Sequence, residues 1–319
     1  MSETAAETPT GNDFRKRRLR FDLFLVLTWV ASAATVITLV WIVCSILQAA
    51  LPAVAATGFG FFTNSVWNPN RNIYGVFPFL NGTAGSSGFA LLLALPLGVA
   101  IAVFLSEDFL PTAIRQVVRF VVELLAAIPS VVYGLWGIAV IIPIVQSLGG
   151  FLSQHLGFLP FFAPPATGNS MLTASLVLAL MVLPTITAIS RTALVAVPKT
   201  LREGSYAVGA TRWETIFKVL LPTAAPGIVA ATILAFGRAM GETMAVAMLI
   251  GNSPRLTWSL LSPAGTLAGL LANQFGEASG MQVSALMYAA LTLVLLTLLV
   301  NVAGELVLRH TQKTISGIH

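Results

Sequence analysis

Six long apolar runs, separated by basic, polar or Gly- and Pro-rich connections, organise the chain. A helix that crosses the hydrocarbon core of a bilayer needs about 20 mostly apolar residues. The runs Phe21–Leu51, Ser86–Leu105, Phe120–Leu148, Met171–Leu194, Ala224–Ile250 and Val283–Leu308 are all long enough. The pattern therefore predicts an all-α polytopic membrane protein with six transmembrane helices. Composition points the same way: 56% of the 319 residues are hydrophobic and 9% are charged. Such a chain cannot cover a soluble domain with polar surface.

The expected organisation is a basic N-terminal segment over 1–20, a first transmembrane helix over 21–51 and an external loop over 52–85. A core of five helices follows over 86–308, with a cytoplasmic loop at 198–222 inside it, and then a tail over 309–319. The basic stretch FRKRRLR (Phe14–Arg20) resembles the start of a signal peptide, but the apolar run after it is too long and no small-residue cleavage site closes it. The opening stretch MSETAAETPTGN has the composition of a disordered terminus.

Charge then orients the spans. With the connections assigned alternately, one side of the membrane collects Arg15, Lys16, Arg17, Arg18, Arg20, Arg115, Arg119, Arg191, Lys199, Arg202, Arg212, Lys218, Arg309 and Lys313. The other side holds Arg71 and Arg255, and Arg238 inside a run completes the 17 basic residues. Cytoplasmic flanks carry the lysine and arginine excess, so both termini are expected in the cytoplasm. The net charge of +5 belongs to span ends, not to a nucleic-acid-binding face. On this topology the external stretches Val66–Gly88 and Gly157–Ser170, rich in aromatic, Gly and Pro residues, read as ordered interfacial loops or short helices.

Several chemistries find no residues to carry them. The histidines His155, His310 and His319 share no helical face, which gives no metal-ligand spacing. The single cysteine, Cys44, lies in an apolar run and is assigned to packing. No nucleophile triad is recognisable, and no G-x-x-x-x-G-K-[ST] phosphate cradle occurs, so any nucleotide chemistry must reside in another chain.

The connection between the fourth and fifth runs reads VPKTLREGSYAVGATRWETIFKVLLPTAAPG (Val197–Gly227). Its apolar residues recur helically at Leu201, Tyr206 and Val208, then at Trp213, Ile216 and Phe217. This predicts two short amphipathic helices joined at VGAT, with Gly209 at the break and Thr211 capping the second helix against Glu214. The spacing of Glu203, Gly209, Val219, Leu221 and Pro222 resembles the EAA loop of ABC-transporter permeases, with Gly204 and Ser205 where that family usually has two alanines. In that family the loop forms a coupling helix seated in a cleft of a separate ATPase subunit. The resemblance therefore implies that Glu203, Ala207, Gly209, Ala210 and Thr211 couple this chain to an ATPase, and it implies a type I ABC importer permease architecture.

Arg238 and Glu242, within FGRAMGETMAVAML, are four residues apart and on a continuous helix would share one face. At 1.5 Å per residue from Ala224, Arg238 lies roughly 20 Å into the span. A charge at that depth has to face protein or water. Two readings stand: a mutual salt bridge that fixes packing, or an anion pathway in which the Arg238 guanidinium attracts an oxyanion and Glu242 acts as its gate. Thr243 and Ser130 are grouped with this pathway. Pro129 is expected to kink the third span, and Pro184 in MVLPTIT stands beside the hydroxyls of Thr185 and Thr187. Asn81, Gly82 and Thr83, just outside the second run, are either external anion contacts or a turn and cap.

The stretches GRAMGETMAVAMLIGN (Gly237–Asn252), LLAAIPSVVYGLWG (Leu124–Gly137), LVLALMVLPTITAISRTALVAVP (Leu176–Pro198) and FLNGTAGSS (Phe79–Ser87) resemble the C-type permease subunit of bacterial phosphate-specific ABC transporters. The likeness implies a heterodimer with an A-type permease subunit, a cytoplasmic ATPase dimer that binds ATP and Mg, an extracytoplasmic phosphate-binding protein, and residence in the bacterial cell membrane. It implies no cofactor in this chain. A guanidinium does not itself separate phosphate from sulfate or molybdate, so another oxyanion remains an alternative. A proton-coupled carrier would use the same buried pair, but would not need the EAA loop and should show a repeat.

Overall fold

The computed structural model describes residues 11–316 except 108 and 110, with side chains described over 24–311. Most of the stretch expected to be a disordered terminus lies outside the described residues. The chain divides into a first unit ending at Ala49 and a second from Ala50 onward. The first unit is one part of a long helix, α1 (Gly11–Thr57), whose apolar side chains, including Trp29 and Trp41, point outward. Cys44 is exposed there.

Within the second unit, α1 is followed by one turn, α2 (Gly60–Thr63), and a two-residue antiparallel ribbon of β1 (Trp67–Asn68) and β2 (Ile73–Tyr74). Asn72, with φ of 52°, makes the tight return between the strands. Then come α3 (Phe77–Ser106), α4 (Thr112–Ala127), α5 (Ser130–Trp136) and α6 (Ile142–Leu156), with a π-turn over Gly137–Ile141 between the last two. The helix α7 (Met171–Val195) precedes α8 (Lys199–Ala207) and α9 (Arg212–Thr215). A π-turn at Ile216–Leu220 leads into α10 (Leu221–Met240). Last come α11 (Met244–Leu249), α12 (Leu267–Gln274) and α13 (Met281–Ser316).

Six helical stretches are long and apolar enough to cross a membrane: Phe24–Thr57, Phe77–Ser106, Ser130–Leu156, Met171–Val195, Arg212–Met240 and Met281–Thr311. Several expected boundaries move. Residues 52–57 continue α1 and residues 77–85 form the first turns of α3, so the connection expected over 52–85 is shorter at both ends. The expected span Phe120–Leu148 joins two separate helices. Ile128 and Pro129 are extended, and α4 stops before them. Proline here ends a helix instead of kinking one, because it lacks the N–H and biases the preceding residue away from helical backbone.

Lipid gives helices no hydrophobic reason to associate, so membrane bundles rely on close approach through small residues. The helix α3 presents Ala90, Ala94, Gly98 and Ala102 at intervals of four, all buried, and packs most extensively on α7. A Cβ placed on Gly98 would lie 2.8 Å from Ile186 Cγ2. Thr187 Oγ1 donates to the Gly98 carbonyl at 3.3 Å across this contact. The helix α7 is the centre of the unit, with 67% of its span buried against at most 33% for any other. The helix α10 repeats the device with Ala231, Ala235 and Ala239 against α7 and α13.

At the end of α3 away from α8, the ribbon and α2 form an aromatic cap. Phe61 stacks on Tyr288 at 4.2 Å, Trp67 meets Tyr74 and Phe79 edge-on, and Trp67 Nε1 donates to Gln274 Oε1 at 2.9 Å. Burial pushes the Tyr74 phenol above its ordinary value. The segments 157–170 and 251–266 pair through backbone bonds such as Leu260 N–H to Phe161 O at 2.9 Å and Thr167 N–H to Leu261 O at 3.2 Å.

Candidate functional site

The expected helix from Ala224 to Ile250 is interrupted. The helix α10 ends at Met240, the chain turns at Gly241, and Glu242 and Thr243 lie between α10 and α11. Arg238 and Glu242 thus share no helical face, which corrects the reading of one continuous span. No ion pair joins them among the described residues. Instead, a Glu242 carboxylate oxygen accepts from the Ala245 N–H at 3.4 Å and caps the start of α11, while Thr243 Oγ1 donates to the Gly241 carbonyl at 3.2 Å. Arg238 is exposed on α10, one turn beyond the exposed Leu234, at the edge of the stripe of buried alanines. Apolar composition continues unbroken through AVAMLI, so hydropathy alone does not report the break.

The helix that follows the second break, at Ile128–Pro129, packs on the helix that follows the first. Ser130 opens α5, half-buried, and Gly134 of α5 and Gly137 at the start of the π-turn lie on α11. A Cβ on Gly134 would lie 2.7 Å from Met248 Sδ, and one on Gly137 would lie 2.9 Å from both δ-carbons of Leu249. Tyr133, for which the sequence alone suggested no role, belongs to this region. Its hydroxyl donates to the Leu125 carbonyl oxygen at 2.9 Å. An apolar cavity of about 230 Å³ lined by Leu125, Ile128, Val132, Tyr133, Trp136 and Leu180 flanks the break. The structure therefore brings two interrupted helices side by side, with Ser130 on one and Arg238, Glu242 and Thr243 around the other.

Asn81, Gly82 and Thr83 do not form a turn outside the span. They lie in the second turn of α3, and Gly82 and Thr83 are buried. Asn81 Nδ2 donates to the Thr257 carbonyl at 2.9 Å. The Thr83 hydroxyl donates to Phe79 O at 2.7 Å and accepts from Leu267 N–H at 2.9 Å. These groups hold the segment around 257–267 against α3, and the Thr83 hydroxyl has no remaining donor for an anion.

The loop between α7 and α10 is a helix-turn-helix. The helix α8 ends in a Schellman motif: Ala210 N–H bonds to Ser205 O at 3.1 Å and Gly209 N–H to Tyr206 O at 3.0 Å, with Gly209 at φ +85°. Thr211 then caps α9 in a full capping box with Glu214. The second helix is not a separate short element, because α9 runs through the π-turn into α10. Glu203, Ala207, Gly209 and Thr211 are exposed, and Ala210 is half-buried. Tyr206, Val208, Trp213 and Phe217 expose large apolar surface around them. Such a patch on a polar turn is the composition of a docking surface. Beneath it, Ser205 Oγ and Thr215 Oγ1 share a hydrogen bond of 2.9 Å, which the alanine usual at position 205 in the EAA loop could not make.

The interrupted helices, the central α3–α7 pair and the projecting coupling turn are those of an ABC-importer permease, a multi-pass transport protein and not an enzyme. Solved structures agree on the fold. The chain matches a bacterial alginate ABC transporter with a TM-score of 0.59 at 16% identity, over 92% of this chain and 94% of that one. It matches the MetNI methionine ABC transporter in an inward-facing conformation with a TM-score of 0.56 at 20% identity, over 77% and 99%.

The chain belongs to the family described as binding-protein-dependent transport system inner membrane components, which it matches over residues 88–316. Among its relatives is the phosphate transport system permease protein PstC of Xylella fastidiosa (strain Temecula1), 40% identical over 96% of this chain and 95% of the relative. The Haemophilus influenzae protein of the same name is 37% identical over 92% of each chain. A probable phosphate transport system permease protein PstC of Methanocaldococcus jannaschii is 35% identical over 95% and 98%.

Proposed function

We propose that this chain is the C-type permease subunit of an ATP-driven importer of inorganic phosphate. It pairs with an A-type permease subunit, rests on a cytoplasmic ATPase dimer, and receives phosphate from an extracytoplasmic binding protein. The observation that carries the reading is the likeness, at 40% identity over 96% of the chain, to a relative named as a phosphate transport permease. Both termini lie in the cytoplasm on this reading, which follows the distribution of basic residues.

Arg238 supplies the anion-attracting charge. A charged side chain at the bilayer centre costs about 2.5–3.5 kcal/mol on insertion scales. The exposed Arg238 therefore meets either the paired subunit or a water-filled path, and its planar fork donates two hydrogen bonds to an oxyanion. Glu242 and Thr243 shape the break beside it, and Ser130 offers a hydroxyl from the neighbouring helix. Glu203, Ala207, Gly209, Ala210 and Thr211 meet the ATPase, which binds ATP and Mg, so this chain needs no cofactor. The same guanidinium would attract sulfate or molybdate, and it is the likeness to phosphate permeases that favours phosphate.

The test is ATP-dependent uptake of labelled phosphate by the full complex in proteoliposomes, with sulfate as competitor, for native protein and Arg238→Gln. Loss of uptake with ATP hydrolysis retained supports the assignment of Arg238. Native uptake that sulfate suppresses as well as phosphate does would move the substrate to another oxyanion.

A further inference from the structure

We infer that Arg202 is the positioning residue through which the coupling turn moves the central α3–α7 pair, acting through Glu107 and the Leu194 carbonyl of α7. The inference rests on the transport reading above. Arg202 lies on α8 immediately before Glu203, yet the two face differently: Glu203 is exposed, whereas the Arg202 side chain is 18% exposed. Its Nη2 donates to the Leu194 carbonyl at 2.9 Å, in the last turn of α7, where the same oxygen also accepts from Val197 N–H at 3.3 Å. The same nitrogen lies 3.0 Å from Glu107 Oε1, whose side chain is 14% exposed. That contact is a charge contact lying off the hydrogen-bond direction, since Glu107 Oε1 and Arg202 Nε are left without hydrogen-bond partners.

One guanidinium thus links three elements. It belongs to the coupling helix, bonds the end of α7, and pairs with the first residue after α3. The two helices it reaches are the pair that pack most extensively, and they are further tied near the same end by Arg191 Nε to the Leu105 carbonyl at 3.5 Å. A rotation of α8 under the ATPase therefore pulls on α3 and α7 together. An open cavity of about 300 Å³, lined by Ser106, Glu107, Lys199, Arg202, Tyr206 and Arg212, lies beside the pair and gives the side chains room to re-pair as α8 moves. A fixed packing contact would fill this space.

Deleting one charge would bury the other unpaired and threaten assembly, whereas removing both with residues of similar volume is commonly tolerated. The experiment therefore uses the double variant Glu107→Leu/Arg202→Met in the full complex in proteoliposomes, and reads ATP hydrolysed per phosphate taken up. The expected result is ATP hydrolysis within about two-fold of native and a ratio raised about ten-fold, within the range that coupling mutations produce. Arg202→Lys, which keeps the charge but not the fork, should fall between, and it carries the test alone if the double variant does not assemble. A native ratio in the variant that assembles overturns the role of the pair. Absence of phosphate uptake by the native complex overturns the transport reading instead.

Discussion

The Tyr133 hydroxyl donates to the Leu125 carbonyl oxygen at 2.9 Å, so a side chain of α5 reaches back over the Ile128–Pro129 break to the end of α4. Leu125 O is among the last four carbonyls of α4 and has no helical partner of its own. Tyr133→Phe keeps the ring and leaves that acceptor unpaired, at a cost of about 1–3 kcal/mol. Thermal unfolding of the solubilised complex should show a lower midpoint for the variant. An unchanged midpoint would mean that water replaces the phenol.

Gly209 sits at φ +85° with nothing within 4 Å of where a Cβ would be. Any penalty for a side chain there is conformational, about 1–2 kcal/mol for an ordinary L-residue. Transport should therefore fall in the order Gly209, Asn, Ala, Val, because asparagine tolerates left-handed backbone and a β-branched residue does not. An order set by side-chain volume, with asparagine worse than alanine, would point to a steric clash with the ATPase instead.

Ser205 and Thr215 share one hydrogen bond, but Thr215 Oγ1 also bonds to the Thr211 carbonyl at 3.0 Å. Ser205→Ala should therefore be mild, about 0.5 kcal/mol or less, since Thr215 keeps a partner. Thr215→Val removes both bonds from a buried position and should cost about 1–2 kcal/mol. Hydrogen exchange of the α8–α9 amides distinguishes the two: protection should drop clearly only in the valine variant.

Gly98→Val would drive branched methyls into Ile186, at the closest approach of α3 and α7. Overpacking of this kind costs about 1–3 kcal/mol. Pairing it with Ile186→Ala should recover part of the loss. Recovery is the diagnostic outcome, read as the yield of monodisperse complex, and its absence would show that the helices meet elsewhere in the working assembly.

Much of this fold is legible in the sequence because lipid imposes a simple length rule, and the six apolar runs obey it. The coupling turn is legible for a different reason: Gly209, Thr211 and Glu214 are local signals whose hydrogen bonds close within a few residues. What stays hidden is where an apolar run stops being helical. Neither Gly241 nor Pro129 interrupts hydropathy, so two breaks pass for continuous spans. Asn81 and Thr83 look like a cap because their partners, Thr257 and Leu267, are more than 170 positions away. Arg202 and Glu107 are likewise ordinary flanking charges until the fold brings them to 3.0 Å.

Gly134 of α5 and Gly137 just after it let this stretch nest against α11 without intervening side-chain bulk of its own. A side chain at either glycine would meet Met248 or Leu249, so α11 has no room to slide towards the start of the Ser130–Leu156 helix, and a displacement of one has to be followed by the other.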